Sequence, residues 1–112
     1  MNKIEKAVLK VLKPHRGKNN PITTEAIAGK LKLPEREIRR AISGLVTDHR
    51  VLIGSSVRRP FGFYIIKNIE ELRVCLDQYY SRLHNLKDRA KSLYRAGLKK
   101  FSKDIQNEFK FD

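Results

Sequence analysis

Residues 31–45 read LKLPEREIRRAISGL, and the fold turns on how this stretch divides. Proline suits the first turn of a helix, where its missing amide donor leaves nothing unpaired, so Pro34 marks a fresh start and not a kink. Stepping about 100° per residue from Ile38 puts Ala41, Ile42 and Leu45 within about 60° of it, an aliphatic stripe for a core. Arg36, Arg40, Ser43 and Thr47 gather on the opposite side, with Arg39 on their flank. The helix therefore pairs a face for burial with a face of three guanidinium groups and two hydroxyls.

Upstream, Ala26, Ile27, Ala28 and Leu31 form a short helix that stops at Lys32-Leu33-Pro34, with Thr23 or Thr24 as its cap and Glu25 near its positive end. Two helices joined by a tight turn are expected. Before them, Ile4, Ala7, Val8, Val11 and Leu12 recur at helical intervals over residues 3–13, and Pro14, Gly17 and the NNP run end that helix. Ile22, after Pro21, is placed to supply a short strand.

Downstream of Asp48-His49-Arg50 the pattern turns β-branched and aromatic: Val51-Leu52-Ile53, then Phe63-Tyr64-Ile65-Ile66. Residues 54–62 between them are rich in turn formers and carry Arg58 and Arg59, so a hairpin with a basic tip is expected. Asn68 and Glu71 have capping-box spacing ahead of a long helix. In it Leu72, Leu76, Tyr79, Leu83, Leu86, Ala90 and Leu93 alternate steps of four and three, a heptad-like seam. Beyond Gly97 the phase shifts, and Leu98, Phe101, Ile105 and Phe109 continue a stripe.

Charge fits this division. The 112 residues carry 25 Lys and Arg against 12 Asp and Glu, a formal charge of +13, while 40% are hydrophobic. That composition describes a folded basic protein with a polyanionic partner. Residues 1–66 hold 14 basic and 5 acidic side chains, or +9; residues 67–112 hold 11 and 7, or +4. The first part is the expected polyanion surface.

The order of helix, short strand, helix, tight turn, helix and basic hairpin resembles the winged helix-turn-helix family. ITTEAIAGKLKLPEREIRRAISGL corresponds to the helix-turn-helix and VLIGSSVRRPFGFYII to the wing, within residues 3–66. The whole chain, long helix included, also looks like small winged-helix proteins of phages and prophages. The resemblance implies a mainly α fold with a small β-hairpin (α+β), with the helix from Pro34 in the DNA major groove and the wing on the backbone or minor groove. One departure stands out. The family's turn often has glycine where this chain has Lys32, since that residue tends to need positive φ; lysine there costs about 1 kcal/mol, or the turn differs.

Side-chain chemistry points the same way. Arginine can donate two hydrogen bonds to guanine O6 and N7, and hydroxyls bond phosphates or base edges. Arg36, Arg40, Ser43 and Thr47 are thus candidates to read or position DNA, Arg39 to hold a phosphate, and Arg58 and Arg59 to serve as wing contacts. The expected organisation is a DNA-binding domain over residues 1–67 and a helical dimerisation or assembly segment over 68–112.

A helix over residues 69–95 would run about 40 Å, longer than the roughly 30 Å breadth of a domain the size of the first part. Ile69, Leu72 and Leu76 can cover that domain's own core. Leu76, Tyr79, Leu83, Leu86, Ala90 and Leu93 are the candidate dimer interface, a homodimer being the simplest cover. A twofold dimer would read inverted half-sites about 10 base pairs apart or a multiple of that.

The expected function is a sequence-specific double-stranded DNA-binding protein, a dimeric regulator of transcription. The alternative is a phage or plasmid replication or assembly module whose C-terminal helix recruits a protein partner. A single-strand or RNA binder would show more exposed aromatics than Phe61.

No catalytic, metal or cofactor role is expected. His15, His49 and His84 are scattered, and Cys75 has no CxxC or HxxxH partner, so it reads as a small packing residue. No glycine-rich phosphate loop or Ser, His and Asp set is recognisable. The single cysteine excludes an internal disulfide, and no signal-peptide or membrane-spanning pattern is present. The expected location is the cytoplasm of a prokaryote, or of the host for a viral protein, without membrane attachment.

Overall fold

The computed structural model describes residues 1–108, with side chains to Lys103. Its elements run α1 (Lys3–Leu12), α2 (Thr24–Leu31), α3 (Glu35–Thr47), β1 (Ile53–Ser56), β2 (Gly62–Ile65) and α4 (Ile69–Glu108). The protein is mainly helical with a small two-stranded antiparallel sheet. It divides into two units, the first Met1–Cys75 and the second from Leu76 onward. The first unit thus takes in the opening two turns of α4 beyond the expected boundary at residue 67.

The first unit is held by one aliphatic cluster. Val8 and Leu12 of α1, Ile27 of α2, Ile38, Ala41, Ile42 and Leu45 of α3, Ile22 and Ile53 are all buried in it. The stripe read from Ile38 is the buried face of α3. Each full burial of an Ile or Leu side chain favours the fold by about 1.5–3 kcal/mol.

Helix ends follow local chemistry. At α1, Asn2 and Glu5 form a reciprocal capping box: the Asn2 side chain accepts the Glu5 N–H at 2.7 Å and Glu5 accepts the Asn2 N–H at 2.9 Å. Thr23 caps α2 by accepting the Ala26 N–H, while Thr24 is buried and donates to Glu35 at 2.9 Å. Lys32 takes the left-handed conformation, φ 55° and ψ 46°, so the turn does have the positive φ that usually calls for glycine. Pro34 is the N-cap of α3 and offers no side-chain bond of its own.

The hairpin lies nearer its tip than the β-branched runs suggest. Val51 donates its N–H to the Leu45 carbonyl at the end of α3, Leu52 is exposed and only its carbonyl joins the ladder, accepting the Ile66 N–H at 2.9 Å, and the paired strand residues run from Ile53 opposite Ile65. Ser55 and Ser56, expected in the loop, are strand residues. Ile22, expected to supply a short strand, forms an isolated antiparallel bridge to Phe63 instead, exchanging two backbone hydrogen bonds of 2.8 Å beside the two-stranded sheet. Gly62 permits that approach: it sits at φ 137°, and an added Cβ would stand 2.5 Å from the Ile22 carbonyl oxygen.

At the start of α4 the Asn68 side chain accepts the Glu71 N–H at 2.9 Å. Glu71 does not complete the expected box. Its carboxylate accepts the N–H groups of Lys67 at 3.0 Å and of Lys18 at 2.8 Å, tying the α1–α2 loop to α4. Cys75 is buried, its Sγ 3.4 Å from the Tyr64 hydroxyl. Glu71 and Cys75, rather than the exposed Ile69 and Leu76, are what α4 buries here.

In the second unit α4 leaves helical geometry at Phe101, φ −129° and ψ 40°. Phe109 and the side chain of Ile105, expected to extend the stripe, lie outside the described residues. No described helix is long and apolar enough to cross a membrane.

Candidate functional site

The outer face of α3 follows from its inner one. With Ile38, Ala41, Ile42 and Leu45 committed to the core, Arg36, Arg39, Arg40, Ser43 and Thr47 all stand exposed. The three guanidinium groups are not equivalent. Arg39 lies 3.6 Å from Glu35 one turn earlier and donates to the Thr24 hydroxyl at 3.3 Å, which leans it toward α2. Arg40 stands 3.5 Å from Glu37. Arg36 has no ion-pair partner among the described residues. Exposed pairs of this kind contribute about 0–1 kcal/mol, so an incoming phosphate or base edge can displace them.

Arg40, Ser43 and Thr47 also edge an open concavity of about 460 Å³ shared with Asn2, Glu5 and Glu37. Three carboxylates, those of Glu5, Glu37 and Asp48, line it against one guanidinium. It is therefore poorly suited to a small anion, and Arg36 and Arg39 stand outside it. Gly44 lets α1 come this close, since a Cβ there would overlap the Glu5 carboxylate.

Glu5 and Glu71 are the buried carboxylates of the first unit. The Asn2 N–H, aided by His49 with its Nε2 3.5 Å away and opposed by burial, holds the Glu5 carboxyl below the ordinary glutamate pKa. Burial opposes ionisation of Glu71, but the Lys18 and Lys67 N–H donors and their ammonium charges outweigh it and also depress its pKa. Burial, then the Cys75 contact, raises the Tyr64 hydroxyl well above its ordinary value and keeps it neutral.

Arg58 and Arg59 are exposed at the hairpin tip, where the Ser56 hydroxyl donates to the Arg58 carbonyl at 2.6 Å. No hydrogen bond or ion pair among the described residues links them to the α3 arginines. Leu76, Tyr79, Leu83, Leu86, Ala90 and Leu93 are exposed on α4. No group of three His, Cys, Asp or Glu able to hold a metal occurs among the described residues.

Residue patterns missed Glu5 and the second role of Glu71. Asn2-x-x-Glu5 was a readable signal of the same form as Asn68-x-x-Glu71. The Lys18 partner of Glu71 was not, because it lies 53 residues away. Comparison with protein-family models, with curated proteins and with solved structures gives no match.

Proposed function

We propose that the protein is a sequence-specific double-stranded DNA-binding protein of the winged helix-turn-helix kind, acting in regulation of transcription. In this reading α3 enters the major groove, Arg36, Arg40 and Ser43 meet base edges, Arg39 and Thr47 hold the backbone, and Arg58 and Arg59 of the hairpin act as the wing. The observation that carries the reading is the outward arginine and hydroxyl face of α3 on a fully packed aliphatic stripe. An extended face of donors suits a groove, where contacts are spread over several base pairs. Phosphate attraction from the +9 first part supplies affinity, and bidentate arginine contacts supply selectivity.

A competition shift assay against random genomic fragments tests this. A few fragments should resist competitor DNA, and Arg40→Glu should abolish that resistance while leaving the unfolding transition nearly unchanged. Equal binding to every fragment defeats the sequence-specific reading.

The exposed α4 seam favours a second reading, a replication or assembly module that uses its basic surface as a tether and α4 to capture a protein. Leu83→Asp separates the two: loss of partner capture with DNA affinity unchanged supports the second reading, and weakened DNA binding through loss of a dimer supports the first.

A further inference from the structure

The α4 seam is exposed, but the charges beside it select what can cover it. Leu83 is 62% exposed, Leu86 60% and Leu93 76%, while the residues between them on the outer side are polar. With Leu76, Leu83 and Ala90 as heptad position a and Tyr79, Leu86 and Leu93 as d, the charged flanking positions e and g near the seam's centre are Arg82, Lys87 and Arg89. From Arg73 to Lys103 no residue at a flanking position of α4 is acidic. Asp77 and Asp88 fall at b and f, on the outer surface, where Asp88 stands 3.4 Å from His84. Arg82 is drawn over the Tyr79 ring, 5.0 Å from its centroid, which keeps its guanidinium at the seam's edge.

A second copy of the chain meets this arrangement badly in either direction. Parallel and in register, Arg82 faces the partner's Lys87 on both sides of the seam. Antiparallel about Leu83 and Leu86, Arg82 faces the partner's Arg89. Like charges at flanking positions oppose pairing, and opposite charges there choose partner and orientation. The aliphatic stripe is only as wide as positions a and d, with Tyr80 beside it at e, which is the shape of a helix–helix seam and narrower than the apolar sector of a helix lying on a bilayer.

We infer that the α4 seam of Leu76, Tyr79, Leu83, Leu86 and Leu93, bordered by Arg82, Lys87 and Arg89, docks an acidic amphipathic helix of another protein. This rests on the reading of α4 as a protein-contact face and names the partner's chemistry: leucine-like side chains at a and d, carboxylates at e and g. It is independent of whether α3 binds DNA.

The probes are two helical peptides of about four heptads, both with leucine at a and d, one with glutamate and one with lysine at e and g. The full-length chain should bind the glutamate peptide in titration calorimetry, more weakly as salt rises, and should not bind the lysine twin. Joint Arg82→Glu, Lys87→Glu and Arg89→Glu replacement should weaken the glutamate peptide by at least about tenfold and admit the lysine peptide. All three sites are exposed, so an unchanged circular dichroism melt confirms the fold. Equal binding of both peptides overturns the charge selection. A stable dimer in sedimentation that the glutamate peptide fails to dissociate makes the occupant a second copy. A monomer that binds neither peptide, or that binds phosphatidylserine vesicles instead, removes α4 as a protein-contact face altogether.

Discussion

Lys32 sits in the left-handed region, φ 55° and ψ 46°, at the turn between α2 and α3. A β-carbon there crowds the following carbonyl, and glycine escapes that crowding at the expense of a more mobile unfolded chain. Lys32→Gly is therefore predicted to stabilise the protein by roughly 0.5–1 kcal/mol in a denaturant melt; a loss of stability would mean that the lysine stem packs usefully. Glu71 sets a pH dependence. Its pKa is depressed below 4.5 in the folded chain, so its contribution is complete above the unfolded value and is lost as pH falls through the lower, folded one. The unfolding midpoint should drop on acidification below pH 4.5, and less steeply in Glu71→Gln. An identical acid profile for the two proteins would detach Glu71 from acid stability.

At the scale of elements, α3 carries two demands on opposite faces, and substitutions should separate them. Leu45→Ala opens a cavity in the aliphatic cluster and should cost about 2–5 kcal/mol, whereas Arg36→Ala on the outer face should stay within about 0.5 kcal/mol of the original stability. A large loss from Arg36→Ala would assign that residue to the fold. This helix was legible in the sequence because its start at Pro34, its 3.6-residue aliphatic spacing and its polar face all lie within one short stretch. The hairpin was legible as an element but not in its register. The Val51 N–H is spent on the Leu45 carbonyl, which takes Val51 out of the ladder, and no local pattern announces that competition. The bonds from Glu71 to Lys18 and from Ile22 to Phe63 were hidden for a related reason: they join segments whose nearness is a result of folding.

For the molecule as a whole, Arg36, Arg39, Arg40, Arg58 and Arg59 are the exposed guanidinium groups of α3 and the hairpin tip. If about five basic side chains of the first unit, Arg39, Arg58 and Arg59 among them, neutralise DNA phosphates, the slope of log affinity against log salt should be about −4 to −5 for each bound chain. A slope shallower than about −2 would contradict the phosphate role. The candidate site was readable one face at a time, since charge and periodicity mark each element by itself. The inequality among its arginines was not, because it depends on Glu35, Glu37 and Thr24 being brought beside them. The central claim is that the outer face of α3 reads bases, and selection from a pool of randomised duplexes tests it most directly. The wild-type chain should enrich one motif, and Arg36→Ala should relax the preference at one position of it by about 1–3 kcal/mol. A pool that yields no motif, or the same motif at undiminished preference from Arg36→Ala, Arg40→Ala and Ser43→Ala alike, would contradict it.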